Sequence, residues 1–267
     1  MNILVFDIET VPDINGLRRL HELPDLPDDE VLAAAQLLRR QKTGGSDFLS
    51  LPLQRVVAIS AVLRSGDRLA VWTIGTEQSS EAELIQRFYD GIEKYSPTLV
   101  SWNGGGFDLP VLHYRALLHN IVAARYWETG DTDNAFRWNN YLNRFHERHT
   151  DLMDVLALYQ GRAVAPLDDV ATLLGYPGKM GMSGAKVWDA YQAGRLKAIR
   201  DYCETDVLNT YLVYLRYEQM RGRIDPGQML AEQTKLREYL KQESLMQQSL
   251  TQQSKAHFDE FLAAWPA

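Results

Sequence analysis

The sequence has only one cysteine, Cys203, among 267 residues. A single thiol cannot form an internal disulfide, which excludes the small disulfide-stapled domains and favours a reducing compartment. Long hydrophobic runs are also absent, because no segment stays apolar over the ~18 residues that cross a bilayer. The opening MNILVFDIET lacks the basic start and long apolar stretch of a signal peptide. These absences predict a cytoplasmic protein that does not use a membrane.

An excess of positive charge is lacking as well. The chain has 28 Lys and Arg against 35 Asp and Glu, a net charge of -7. A protein that only coats nucleic acid is usually basic, because it replaces counterions along the backbone. This argues modestly against a nonspecific binder. It argues less against a metal-dependent nuclease, in which bound cations neutralise the carboxylates of the site.

Residue patterns predict an α/β region followed by a helical tail. Strand patterns occur at residues 2–8, 55–63, 69–74 and 98–102. Helical patterns occur at 81–92, 110–118, 151–159, 166–174, 184–192, 195–219 and 227–262. Strands followed by strand–helix alternation indicate an α/β layer fold with a mixed sheet. We expect one domain over residues 1–225 and an accessory helical tail over 226–267.

Residues 12–54 differ from the strands on either side. They are interrupted by Pro12, Pro24, Pro27, Pro52 and the pair Gly44 and Gly45. A short helical stretch is predicted at 31–40. We interpret 12–54 as an insertion, which is either a lid or substrate-facing element or a solvated surface excursion.

Asp7 and Glu9 stand two positions apart at the end of the first predicted strand. Strand periodicity places both side chains on one face, where two acids repel each other unless a cation lies between them. Mg²⁺ or Mn²⁺ is the natural cation for such oxygen ligands. In the alternative interpretation the strand ends at Phe6 and both acids lie in a solvated turn.

A glycine-rich loop follows the fourth predicted strand, with the sequence WNGGGFDLP at 102–110. Such a loop allows the backbone to approach a phosphate closely, but no GK[ST] follows, so it is not a Walker loop. Asp108 comes where a helix begins. It is either a member of an acidic site or simply the N-cap of that helix.

The third acidic segment is YCETD at 202–206. Tyr202 and Asp206 are four residues apart, so they share one face of the predicted helix at the margin of its apolar stripe. They could meet a site at a strand end. Alternatively, they form a chance pair on a solvated face.

The three acidic segments together resemble the DEDD superfamily of 3′–5′ exonucleases, and Tyr202 matches its tyrosine branch. More narrowly, the chain resembles the predicted 3′–5′ exonucleases related to the proofreading domain of family-B DNA polymerases. Residues 7–10, 103–110 and 202–207 fit their three exonuclease motifs, and 56–61 and 151–152 are also similar. The resemblance covers residues 1–220, and no motif is assigned to the tail.

This resemblance implies a ribonuclease H-like fold, with a mixed central β-sheet flanked by helices. It also implies two divalent ions, Mg or Mn, held by Asp7, Glu9, Asp108 and Asp206. Asp7 would bridge both ions, Glu9 and Asp206 would help to hold the ion that activates water, and Asp108 would serve the other ion. Tyr202 would orient the attacking water together with Glu9.

Thr10, Asn103 and Phe107 match positions that touch the terminal nucleotides in these exonucleases. Phe107 could stack on a base, or it could be a core aromatic under the loop. The resemblance implies a metal-dependent 3′–5′ exonuclease acting on single-stranded or frayed DNA ends, an activity suited to DNA repair.

Two other functions stay open. One is an exoribonuclease that trims RNA, because ribose selection depends on contacts to the 2′-hydroxyl that the sequence does not reveal. The other is a catalytically silent nucleic-acid-binding or polymerase-associated subunit. The Gln-rich tail is the candidate site for a protein partner.

Overall fold

The computed structural model describes residues 2–23, 25–250 and 255–266. Its strands are β1 Asn2–Pro12, β2 Gln54–Ser65, β3 Arg68–Thr73, β4 Thr98–Ser101 and β5 His149–Asp151. They form one five-stranded sheet in the order β3-β2-β1-β4-β5. β2 runs antiparallel to β1 and β3, whereas β4 is parallel to β1 and β5. The predicted α/β fold with a mixed central sheet is therefore confirmed.

Helices cover both faces of the sheet. They are α1 Ile14–His21, α2 Asp28–Thr43, α3 Glu81–Tyr95, α4 Asp108–Leu118, α5 Ala124–Trp127, α6 Leu152–Leu156, α7 Leu167–Leu173, α8 Val187–Gln192, α9 Leu196–Met220, α10 Pro226–Leu250 and α11 Ala256–Ala264. One apolar layer joins Phe6 of β1 to α3 and α4. The other joins Val5 of β1 to α9, α10 and α11. Burial of these two layers is the main stabilising contribution to the fold.

Strand β1 continues beyond its predicted end at residue 8. It pairs with β2 as far as Pro12, opposite Gln54, and the register shifts between Glu9 and Thr10. A shift of this kind is a β-bulge, which redirects side chains and is frequent beside active sites. The alternative in which the strand ends at Phe6 is wrong.

Two helices fill the insertion between β1 and β2. Helix α2 is longer than the predicted 31–40, and α1 has no counterpart in the prediction. Asp13 caps α1 by accepting a hydrogen bond from the amide of Gly16 at 3.0 Å. Leu17 and Val31 are fully buried in a small apolar cluster between the two helices. The insertion is therefore a packed unit with its own core.

Several predicted elements differ in length. The helix predicted at 151–159 ends at Leu156, because Leu158 and Tyr159 adopt left-handed φ angles of 51° and 60°. The helix predicted at 184–192 begins at Val187. Strand β5 has three residues, too few to produce a recognisable sequence pattern.

Helices α10 and α11 form the predicted helical tail. Their side chains Leu236, Leu240, Phe258 and Phe261 are fully buried in the apolar layer that contains Val5. Tail and sheet are also joined by the ion pair between Arg64 and Glu232 at 2.6 Å. The division into two domains near residue 225 stays a prediction. Among the described residues, every helix is too short or too polar to cross a bilayer.

Candidate active site

Strand β1 directs Asp7 and Glu9 toward helix α9. Its even-numbered residues Leu4, Phe6 and Ile8 enter the layer under α3 and α4, whereas Val5 enters the layer under α9. On the face of β1 that carries Val5, the next residues toward the end of the strand are the acids Asp7 and Glu9. Glu9 is only 8% exposed, and its carboxylate has no hydrogen-bond partner in the described parts of the chain. Such an acid is costly to bury unless a cation or donor binds it.

Asp108 is tied directly to β1. It is the first residue of α4, not its N-cap, which is Phe107. Its Oδ1 accepts a hydrogen bond from the backbone amide of Ile8 at 3.1 Å. The side chain is 3% exposed. The alternative of a simple N-cap aspartate is therefore wrong.

The glycine loop before Asp108 is fixed by Asp151 of β5. The carboxylate of Asp151 accepts hydrogen bonds from the amides of Asn103 at 2.9 Å and Gly105 at 2.8 Å. Gly104 lies so close to Ser101 that a Cβ would be 2.2 Å from its hydroxyl oxygen. Only glycine fits at this position, because the chain turns sharply from β4 into α4.

Helix α9 brings Tyr202 and Asp206 to the same place. Tyr202 is 7% exposed, and it lies close enough to Asp206 to affect the pKa of that carboxyl. Between them, the thiol of Cys203 lies 3.4 Å from the backbone oxygen of Asp7 and 3.6 Å from its Oδ2. The alternative of a chance pair on a solvated helix face is wrong.

The electrostatics of the cluster favour bound cations. Burial raises the pKa of Asp7 well above its usual value, and the charges of Asp108, Glu9 and Asp206 raise it further. Burial likewise raises the pKa of Glu9, with further contributions from Asp206 and Asp108. Burial raises the pKa of Asp108 to about 7, against backbone hydrogen bonds that lower it. Carboxylates assembled in this way hold protons near neutral pH unless metal ions replace them.

Lys179 lies near this cluster without belonging to it. Burial raises the pKa of Asp206 to about 6, although the hydrogen bond from Tyr202 and the charge of Lys179 oppose the increase. Lys179 follows Gly178 in the loop between α7 and α8. A cation beside the acids suits a site whose substrate carries phosphate.

The possible metal ligands are hard carboxylate oxygens, except for the softer thiol of Cys203. Ligand atoms of Asp7, Glu9 and Cys203 lie within 4.8 Å of one another. Carboxylate oxygens suit Mg²⁺ and Mn²⁺. The grouping of ligand atoms from Asp7 and Glu9, and the pKa values that burial raises in both, fit a divalent cation.

The residues predicted to contact substrate border the acids. Thr10 donates from its hydroxyl to Oε1 of Gln54 at 3.0 Å. Asn103 adopts a left-handed φ of 66° at the start of the glycine loop. Phe107 is partly buried against the core, which leaves part of its ring accessible.

Three further residues of the site were not singled out as site residues from the sequence. Phe48 of the insertion is 54% exposed and its ring centroid lies 6.0 Å from that of Phe107. Asp151 holds the glycine loop, and Cys203 contacts Asp7. The sequence could have indicated Cys203 and Asp151 as site residues, because both lie inside segments that resemble the family motifs. No sequence pattern around Phe48 indicates a site residue.

The mixed sheet with flanking helices is a ribonuclease H-like fold, similar to that of a polymerase exonuclease domain. The chain belongs to the family of predicted 3′–5′ exonucleases related to the exonuclease domain of PolB, which matches residues 46–265. This match includes Asp108, Tyr202 and Asp206, and it extends through the tail. Asp7 and Glu9 precede the matched residues.

Two relatives are polymerases much longer than this chain. The family B DNA polymerase of the hyperthermophilic archaeon Pyrobaculum calidifontis has a similar fold, with a TM-score of 0.50 and 18% identity. The similarity covers 82% of this chain and 24% of that polymerase. A segment of 43 residues is 49% identical to DNA polymerase 1 of Sulfurisphaera ohwakuensis, covering 16% of this chain and 5% of the polymerase. The chain thus spans a small part of either relative.

Proposed function

We propose that the protein is a metal-dependent 3′–5′ exonuclease that releases nucleotides from the 3′ ends of single-stranded or frayed DNA. The observation that carries the proposal is the convergence of Asp7, Glu9, Asp108 and Asp206 from three segments, with Tyr202 beside Asp206 on the same helix. Membership of the exonuclease family supports the same reaction.

Two divalent ions, Mg²⁺ or Mn²⁺, would be held by the four acids. When bound, they supply a nucleophilic water at neutral pH and stabilise the charge on the attacking and leaving oxygens. Asp7 lies centrally, since the charges of Glu9, Asp108 and Asp206 all act on it. By the family resemblance, Asp7 would serve both ions, Glu9 and Asp206 would help to hold the ion that activates water, and Asp108 would serve the other.

Tyr202 acts as a hydrogen-bond donor in this proposal. Burial raises the pKa of its hydroxyl, and the charges of Asp206 and Glu9 raise it further. A phenol in this environment stays protonated at neutral pH, so it cannot remove a proton from water. Its role is to orient the attacking water beside Glu9.

The aromatic pair Phe48 and Phe107 supports a single-stranded substrate. Two rings about 6 Å apart, one of them largely exposed, offer surfaces on which unpaired bases stack without regard to sequence. Bases in an intact duplex are stacked on one another and cannot use these rings. Thr10 and Asn103 are assigned to the terminal nucleotide.

Of the two competing functions, the silent binding module is disfavoured by the cost of the site. Assembling four acids in a largely buried position raises their pKa values and destabilises the apo fold. A protein that only binds nucleic acid does not need these four acids. Action on RNA is the second candidate within the enzyme class, and the experiment below separates it from action on DNA.

The test uses single-stranded DNA and RNA labelled at the 5′ end or the 3′ end, incubated with Mg²⁺, with Mn²⁺ or with a chelator. The expected result is stepwise shortening of 5′-labelled DNA only when metal is present. Asp7→Asn should abolish it, and Asp90→Asn, which changes an exposed acid of α3, should not. Binding without shortening under every metal condition overturns the proposal. Preferential shortening of RNA reassigns the substrate.

The cellular role is a further part of the proposal. We assign the protein to the cytoplasm and to the trimming of 3′ ends during DNA repair. Residues 1–225 would be the nuclease domain, and the tail over 226–267 would offer a surface for a protein partner.

A further inference from the structure

Glu204 lies on α9 between the catalytic residues Tyr202 and Asp206. It is 5% exposed, and it is bound by residues from two other elements. From β3, the hydroxyl of Thr73 donates to its Oε1 at 2.9 Å. From the tail, Lys255 donates to both oxygens at 3.1 and 2.9 Å, and Nε2 of His257 lies 2.8 Å from Oε2.

This arrangement continues across the sheet to the acidic site. Ser60 of β2 lies opposite Asp7 of β1 on one side and opposite Thr73 of β3 on the other. The hydroxyls of Ser60 and Thr73 are 2.8 Å apart. Asp7, Ser60 and Thr73 therefore form one cross-strand row, and α9 contacts both ends of it through Cys203 and Glu204.

The tail supplies hydrogen-bond partners to this buried carboxylate, one of them the ammonium group of Lys255. Lys255 contacts both of its oxygens and His257 contacts one, so the negative charge of Glu204 is compensated from the tail. A buried carboxylate that loses its partners moves or draws in water, because an uncompensated charge is strongly unfavourable there. Any such movement displaces the helical turn that carries Tyr202 and Asp206.

We propose that Lys255 and His257 are positioning residues for catalysis, because through Glu204 they fix the helical turn that presents Tyr202 and Asp206 to the metal ions. This inference rests on the proposed function. It makes the C-terminal helix part of the catalytic assembly. Catalysis is sensitive to this placement, since a shift of ~1 Å in a reacting group can cost about 100-fold in rate.

The test compares two ways of loosening the tail. The double variant Lys255→Met/His257→Gln removes the charge of Lys255 and the imidazole of His257 from Glu204. The matched control, Glu232→Gln, breaks the ion pair with Arg64 and the contact with Tyr211 at 3.0 Å, which also join tail and body. Each protein is measured for kcat and KM on single-stranded DNA, for Mn²⁺ affinity by electron paramagnetic resonance, and for melting temperature.

We expect the double variant to lose kcat by about 10-fold or more, to bind Mn²⁺ more weakly and to keep its KM. The control should lose melting temperature while kcat stays unchanged at temperatures where both proteins are folded. Lys255→Arg, which keeps the charge, should retain nearly all activity. Equal kcat in the double variant and the control overturns the inference.

Two measurements keep the test decisive. If the double variant does not fold, the single variant Lys255→Met is compared with the control in its place. If the wild-type protein shortens neither DNA nor RNA, the proposed function fails, and Mn²⁺ affinity alone then decides the inference. Equal Mn²⁺ affinity in the double variant and the control would reject it in that case.

Discussion

The backbone amide of Ile8 donates to Oδ1 of Asp108 at 3.1 Å, although the two residues are 100 positions apart in sequence. The donor lies on β1 between Asp7 and Glu9, and the acceptor is the first residue of α4. One hydrogen bond thus joins the acid of the glycine-loop segment to the strand that carries the first two acids. We therefore expect the stability of the apo protein and metal binding to be coupled at this position.

The first prediction concerns the pH dependence of stability without metal. Asp206 and Asp108 have folded pKa values of about 6 and about 7, above the usual value near ~4 of an unfolded aspartate. The stability that these two protonated groups contribute is complete below pH ~4, the usual pKa of an aspartate, and is lost as pH rises through 6 and 7. In chelator, the free energy of unfolding should fall by about 2 kcal/mol or more between pH 5 and ~8. Urea unfolding measures this change.

Magnesium and Asp108→Asn provide the controls for this pH prediction. Mg²⁺ should restore stability at the higher pH, where the acids are ionised, more than at the lower pH. Asp108→Asn should reduce the decline, because it removes one of the groups with a raised pKa. An identical pH profile in wild type and variant would contradict the assignment.

Tyr202→Phe should lower kcat by about 10- to 100-fold, because the hydroxyl that orients water is lost while every carboxylate stays. Metal affinity measured by calorimetry should change little, since every carboxylate assigned to the ions is kept and Tyr202 is not one of those ligands. Tyr217→Phe, at a partly buried position on the same helix, is the matched control. Unchanged turnover in Tyr202→Phe would refute the role.

Phe48→Ala should weaken binding of single-stranded DNA and leave kcat nearly unchanged. Loss of one stacking ring costs about 1–3 kcal/mol, and Phe48 meets the site through the ring of Phe107. The KM for an oligonucleotide measures the effect. Phe48→Trp keeps a stacking surface and should restore binding, whereas equal KM values for Phe48→Ala and wild type would assign Phe48 to packing alone.

Gly104→Ala should reduce both stability and turnover. Its added Cβ would lie 2.2 Å from Oγ and 2.5 Å from Cβ of Ser101, so the loop that leads to Asp108 must shift. Gly161→Ala places a methyl group in open space and serves as the control. Thermal unfolding and kcat together test the prediction, which fails when both variants behave alike.

Much of the site could be predicted from local patterns. The two-residue period of a strand predicted that Asp7 and Glu9 share one face of β1, and helical spacing predicted that Tyr202 and Asp206 share one face of α9. Both rules depend only on residues close in sequence, so they can be applied without knowledge of the tertiary fold. That Asp108 belongs with them came from the family resemblance, because an aspartate at a helix start is equally typical of a cap.

Long-range contacts were not predictable in this way. Nothing in the sequence around Phe48 indicates that its ring meets Phe107, and nothing around Glu204 indicates that Lys255 and His257 bind it from the tail. The bulge after Glu9 is also invisible, because register depends on the partner strand. Local propensities determine each element, whereas packing determines which surfaces meet.

The separation of Asp7 from Cys203 along the chain, 196 positions, has a consequence for biosynthesis. During translation Asp7 and Glu9 leave the ribosome long before α9 exists, and domains generally fold as their sequence emerges. Contacts between such distant residues form slowly, because closing a long loop costs entropy. A nascent chain therefore lacks the assembled acidic cluster until α9 has been made.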